Sequence, residues 1–237
     1  MNILAIESSA GPASCAVYRD GKLLACSSIN TGLTHSQTLI PMVSDTLKNA
    51  GLDIKNIDLY AVAAGPGSFT GIRIGVAAVK GLAFTDKKPC IGVSTLAAMT
   101  RMTQGIPFDG IVCAAMDARC NQVYTALFEN HSGEIKRLTQ DSALHLDDLK
   151  KLIEATKKNV LFIGDGSQLC YNAFGGLREG MFLAPPMLRY QNAAGVALEA
   201  AETPESAVSA EQLMPVYLRL PQAERELKRR QSVNAAD

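Results

Sequence analysis

Apolar residues fall in short blocks along the chain, and the spacing within each block sorts it into strand or helix. Ile3 to Ile6 is a continuous apolar run of strand length and reads as a buried strand. Ser14 to Arg19 and Lys22 to Ser28 flank Asp20-Gly21, a strong two-residue hairpin signal, so the chain opens as an antiparallel meander. From His35 to Ala50 the residues Leu39, Ile40, Val43 and Leu47 recur at helical spacing, and Gly51 supplies the stop. Pro41 must then lie near the first turn of that helix or kink it. A strand over Leu59 to Ala63 runs into a glycine-rich loop and a helix that ends near Phe84. Pro89 to Val93 is the next strand, and Ser94 can cap a helix running to about Met102. The first half thus reads β-β-β-α-β-α-β-α.

Thr103-Gln104-Gly105-Ile106-Pro107 reads as a hinge between halves. Strands follow over Ile111 to Met116, Gln122 to Phe128 and Ile135 to Leu138. Leu146 to Thr156 is an amphipathic helix, and Val160 to Ile163 is a strand ending in Gly164-Asp165-Gly166. Helices over Ser167 to Phe174 and Asn192 to Ala201 come next, and Val216 to Leu218 is expected to close the sheet. The second half echoes the first. The expected organisation is one unit over residues 1–103, a second over 104–221, and a charged tail over 222–237 that frays.

With 23 basic and 23 acidic residues, the formal net charge of the 237-residue chain is zero, which excludes nucleic-acid binding by bulk charge alone. Hydrophobic residues make up 47% and charged ones 19%, so a packed core is expected. The first residues carry no basic leader and Glu7 breaks their apolar run; no run approaches the roughly 18 residues of a membrane span. A soluble intracellular protein is therefore expected. Cysteines 15, 26, 90, 113, 120 and 170 are scattered, without a C-x-x-C pair, and read as reduced, buried small hydrophobes.

Gly65-Pro66-Gly67-Ser68-Phe69-Thr70-Gly71 joins a strand to a helix, where backbone N–H groups can meet a phosphate. It is not a P-loop, because Ile72-Arg73 stand where Lys-Ser/Thr should follow the last glycine. A tight turn with close helix–sheet contact explains the same glycines. Spacing alone leaves both readings open.

Context narrows the choice. The run Gly65 to Gly75, Ile6-Glu7-Ser8-Ser9, Val93-Ser94-Thr95-Leu96, Asp117-Ala118-Arg119 before Val123-Tyr124, and Pro215-Val216-Tyr217-Leu218-Arg219 together resemble the TsaB (YeaZ) family of tRNA threonylcarbamoyladenosine biosynthesis proteins. The resemblance spans nearly all of residues 1–220. It implies an α/β, actin-like and sugar-kinase-like (ASKHA) fold of two ribonuclease-H-like halves with mixed sheets. It also implies a cytoplasmic, non-catalytic subunit that binds and activates TsaD, with TsaE alongside, for threonylcarbamoyl transfer to N6 of adenosine 37 in tRNA. Pairing with a second copy when TsaD is absent, contact with tRNA only through the complex, and no cofactor of its own (ATP being used by partner subunits) are implied as well.

In TsaD, the resemblance places metal-binding histidines in a Val-His-His-Met-Glu-Gly-His segment. Here the matching stretch is Val93-Ser94-Thr95-Leu96-Ala97-Ala98-Met99, so Thr95 and Met99 stand at the ligand positions and Ala97 replaces the glutamate. A hydroxyl and a thioether make a poor site for a divalent cation. The aspartate that TsaD carries near its C-terminus has no counterpart around Leu213 to Val216. No catalytic or metal residue is assigned. His35, His131 and His145 lack histidine partners at helical spacing and read as surface or helix-end residues. Glu7 either orients a nucleotide's cation or is a relic bonded to the nearby loop; with Gly65, Gly67 and Gly71 it makes up a vestigial cofactor site. Asp165 in Gly164-Asp165-Gly166 admits a functional and a turn reading too, the turn being preferred.

Over Gly71 to Phe84 only Arg73 and Lys80 are charged, so that helix needs cover on more than one side. Gly71, Gly75 and Ala78 would let another helix approach. Leu39, Val43, Ile74, Val76 and Ala78 are therefore assigned to a partner interface, in agreement with the family's use of its first two helices for pairing. Two competing functions remain: an independent ATP-dependent transferase or kinase with Glu7 and the Gly65 loop at a phosphate site, and a metal-dependent peptidase, against which the missing paired histidines speak. Lys228, Arg229 and Arg230 could touch tRNA, but Glu224 and Glu226 dilute their charge and favour a solvated end.

Overall fold

The computed structural model describes residues 1–176 and 178–219, and the expectations for the 222–237 tail lie outside them. The meander β1 (Asn2–Glu7), β2 (Ala13–Arg19) and β3 (Lys22–Ile29) leads through α1 (His35–Asn49) to β4 (Leu59–Gly65). Then come α2 (Phe69–Phe84), β5 (Cys90–Ser94) and α3 (Thr95–Arg101). The strands form a five-stranded sheet in the order β3-β2-β1-β4-β5, with β1 antiparallel to β2 and parallel to β4. Both faces of β1 are covered, which is why its sequence is a continuous apolar run: Leu4 and Ile6 join the core under α1 and α2, while Ile3 and Ala5 face the opposite layer. Pro41 sits inside α1 on its exposed side, where water can meet the carbonyl that its missing N–H leaves unbonded.

The second lobe runs β6 (Gly110–Asp117), β7 (Gln122–His131), β8 (Glu134–Arg137), β9 (Ser142–His145), α4 (Leu146–Thr156), β10 (Val160–Ile163), α5 (Ser167–Phe174), β11 (Met181–Leu183) and α6 (Ala193–Glu202). Its sheet has the order β11-β10-β6-β7-β8, with β9 also paired to β7. Strands β9 and β11, four and three residues long, are too short for periodicity to reveal. Val216 to Leu218 is not a strand; its one backbone bond to a strand runs from the Val216 N–H to the Ala64 carbonyl at 2.7 Å.

The expected boundary of a self-contained 104–221 unit does not hold. Helix α6 crosses back to cover the first sheet, where Ala193, Val196, Ala197 and Ala200 pack on Ile3, Ala5, Ala61 and Val93. Ala210 and Leu213 enter the core beneath α2. The physical reason is cover: α1 and α2 lie on one face of the first sheet, and the apolar α6 removes the other from water. Gly195 lets α6 seat against α3, since a Cβ there would stand 2.1 Å from the Ala98 carbonyl oxygen. Helix α3 is the layer between lobes, with Ala98 toward the first sheet and α6, and Leu96, Ala97 and Met99 toward the second sheet. Two polar clusters pin it: Ser94 donates to Asp141 at 2.5 Å while Arg137 holds Asp141 at 2.6 Å, and Arg101 pairs with Glu199 at 2.6 Å.

All six thiols are free, but only Cys15, Cys90, Cys113 and Cys170 are buried. Burial pushes the Cys15 and Cys113 thiols up to about 12. Cys26 on the edge strand β3 and Cys120 in the β6–β7 turn are exposed, contrary to the expectation of six buried cysteines; the Cys26 thiol meets only the start of α6, donating to Asn192 Oδ1 at 3.4 Å. Among the described residues, no helix is long and apolar enough to cross a membrane.

Candidate functional site

The ends of β1, β6 and β10, the N-terminus of α2 and the strap Met214 to Arg219 converge on a cleft of about 800 Å³ between the lobes. Ser9 to Gly11, Gly67 to Thr70, Asp117 to Arg119, Tyr124, Asp165 and Val216 to Arg219 line it. The strap spans both lobes: Tyr217 packs on Phe69 with ring centroids 4.8 Å apart, and Arg219 Nη1 donates to the Ala118 carbonyl at 2.7 Å.

Of the four residues assigned to a vestigial cofactor site, only Gly67 lines this cleft. The glycines serve close packing. A Cβ at Gly67 would stand 2.4 Å from the Ser9 carbonyl oxygen, one at Gly71 2.1 Å from that of Ser8, and one at Gly65 2.2 Å from that of Val216. Glu7 is 1% exposed and folded under the loop, its Oε1 accepting the Ser9 N–H at 2.5 Å. The bond to the nearby loop that one of the two readings expected for Glu7 is therefore present. Burial pushes its carboxyl up to about 7, helped by the nearby Asp165 charge. Asp165 lies in a turn, as read from the sequence, and is also a wall of the cleft; it accepts from Gln191 at 2.7 Å, and burial raises it to about 6. Sequence reasoning missed Ser9, Tyr124, Tyr217 and Arg219 as neighbours, because no local pattern connects residues so far apart in the chain.

The protonated forms of Glu7 and Asp165 are favoured by folding, so the folded state holds protons that the unfolded chain releases, and stability falls as pH rises from about 4.5 toward 7. For Glu7, at about 1.4 kcal/mol per unit, a rise from 4.5 to about 7 is worth on the order of 3 kcal/mol. Glu7→Gln, which keeps the acceptor for Ser9, is expected to remove the Glu7 share of that decline and leave the Asp165 share. Urea titrations at pH 5 and pH 8 measure it, and an equal decline in both proteins would refute the assignment.

Thr95 is 0% and Met99 3% exposed, both in the packed interlobe layer. His35 bonds the Ala10 carbonyl at 2.8 Å, His131 pairs with Asp109 at 3.0 Å, and His145 meets Gln122 at 2.7 Å, so the structure does not bring the histidines together.

The interface assignment needs correction. Leu39, Val43 and Val76 are 1%, 3% and 4% exposed and belong to the core under the first sheet, because the apolar stripe of each helix turns inward. Ile74 and Ala78 are half-buried against that core. The open face of α2 is the stripe Thr70, Arg73, Ala77, Gly81 and Phe84, beside exposed Ile40 on α1.

The family model for TsaD, tRNA N6-adenosine threonylcarbamoyltransferase, matches residues 30–227. A TsaB from Bacillus subtilis (strain 168) is 32% identical over 169 residues, which cover 71% of this chain and 73% of that relative. The chain belongs to the TsaB (YeaZ) family, within the TsaD group. YeaZ from Pseudomonas aeruginosa superposes with a TM-score of 0.76 at 30% identity, covering 92% of this chain and 99% of that one. A ROK hexokinase from Thermus thermophilus, 10% identical with a TM-score of 0.50 over 86% of this chain and all of its own, shares the actin-like fold alone. Membership of the TsaB family gives the chain a role in tRNA threonylcarbamoyladenosine biosynthesis.

An actin-like fold implies a magnesium nucleotide between the lobes, and the donor set here does not fit one. Among the described residues, Glu7 is turned away, no lysine lines the cleft, and no group of three His, Cys, Asp or Glu side chains could hold a metal.

Proposed function

We propose that this TsaB-family chain is the non-catalytic partner subunit of threonylcarbamoyl transfer to N6 of adenosine 37 in tRNA, acting in the cytoplasm by binding and activating TsaD, with TsaE in the same assembly. One observation carries the reading: the Thr95 to Met99 stretch, where the family catalyst is expected to hold its metal, is here packed between the lobes with Thr95 and Met99 out of reach of solvent. A side chain committed to that layer has no room for a ligand sphere. The exposed α2 stripe supports partner docking, since Ala77 and Gly81 offer a surface on which a facing helix can come close.

Threonylcarbamoyl transfer to tRNA, followed by nucleoside analysis, tests the proposal. The chain alone is expected to give no product above background, and its addition to TsaD and TsaE to raise the yield at least tenfold. Turnover by the chain alone, in proportion to its concentration, would refute it.

A further inference from the structure

We infer that the strap Met214 to Arg219 is a latch: it is built onto the first lobe, holds the second through Arg219, and lets the lobes swing apart about α3 when that contact breaks. The first-lobe end is fixed several times over. Lys80 Nζ, on α2, donates to the Glu211 and Leu213 carbonyls at 3.1 Å each, Leu213 is buried beneath α2, and the Val216 N–H donates to the Ala64 carbonyl. Gly65 leaves room for the Val216 carbonyl oxygen, from which a Cβ would stand only 2.2 Å away. Tyr217 then packs on Phe69, and the Arg73 guanidinium lies over the same Phe69 ring, 5.0 Å from its centroid. These contacts make the strap part of the first lobe as far as Tyr217.

The second-lobe end is different. Among the described residues the strap's one hydrogen bond to that lobe runs from Arg219 Nη1 to the Ala118 carbonyl. Met214 and Val216, 64% and 53% exposed, add no burial there. The acceptor is held still, because the Ala118 N–H bonds the Gln122 carbonyl and the Gln122 N–H bonds that of Arg119, which closes the β6–β7 turn. The lobes also have a joint on which to move. The chain passes between them over residues 102–109, leaving α3, and over residues 184–192, entering α6, the helix that seats against α3. Those two passages are covalent and α3 packs on both sheets, whereas the latch is a single charge-assisted bond, so it is the tie that yields first. Access to the cleft is thereby set by Arg219.

Double electron–electron resonance on the full chain tests this. Cys26→Ser and Cys120→Ser remove the two exposed thiols, and spin labels go on Lys48→Cys in α1 and Lys151→Cys in α4, exposed positions in different lobes. With the latch intact, one dominant distance is expected. Arg219→Ala is expected to add a longer-distance population, raising the open-to-closed ratio about tenfold for the loss of one such bond. Tyr217→Ala, which unseats the strap from Phe69, is expected to open the lobes in the same way, and Met214→Ala, on the same strap but exposed, to leave the distance unchanged. Circular dichroism is expected to stay the same in all three. An unchanged distance in both Arg219→Ala and Tyr217→Ala, equal opening by Met214→Ala, lobes already open with the latch intact, or a longer distance that appears only with loss of circular dichroism would each overturn the inference.

Discussion

Ala77→Glu is expected to leave the chain folded and to abolish the proposed association with TsaD, whereas Val76→Glu is expected to unfold it. The two residues are neighbours in sequence and point to opposite environments: Val76 is 4% exposed beneath α2, while Ala77 lies on the open stripe between Arg73 and Gly81. A carboxylate forced into the core has neither water nor a partner, and its cost of several kcal/mol is a large part of the roughly 5–15 kcal/mol that holds a domain together. At Ala77 the carboxylate stays in water until a partner arrives. An ordinary interface removes about 800 Å² per partner from water, and an unpaired charge at its centre costs several kcal/mol. Light scattering and capture by TsaD, with circular dichroism on each variant, decide the matter. Unchanged association by Ala77→Glu would remove α2 as the docking face, and a stable Val76→Glu would contradict its burial.

Gly195→Ala destabilises the chain by about 3 kcal/mol, while Gly81→Ala stabilises it by up to about 1 kcal/mol. Both glycines are helical and both changes add one methyl group. At Gly195 that methyl would lie 2.1 Å from the Ala98 carbonyl oxygen and 2.9 Å from its carbon, so backbone rather than a flexible side chain must move. At Gly81 nothing lies within 4 Å, and the substitution acts through helix propensity and the unfolded chain. Urea midpoints for the two variants give the test. Equal and small effects would show that α3 and α6 are not in tight contact at the lobe junction.

Elements that carry their own signals were legible in the sequence. Helices α4 and α5 and strand β10 have the bounds read from periodicity, and Ser94 caps α3 through the Ala97 N–H as its position suggested. Each of these depends on neighbours within one or two turns. The resemblance likewise rests on residues in short runs, and it pointed to the family that the relatives establish.

What the sequence left open is which face of an element another element covers. Helix α2 is apolar around most of its girth, so its pattern could not say that Val76 faces in and Ala77 out; α6 could not be assigned to the first lobe, because nothing local ties Val196 to Ala5. The cleft shows the same limit, since Ser9, Phe69, Asp165 and Tyr217 meet only after the lobes close. The close packing of Gly65, Gly67 and Gly71 against the Ser8, Ser9 and Val216 carbonyls is likewise visible only in the folded chain. Local pattern fixes the backbone through torsional preference and short-range hydrogen bonding; burial depends on long-range contact, and only the folded chain supplies it.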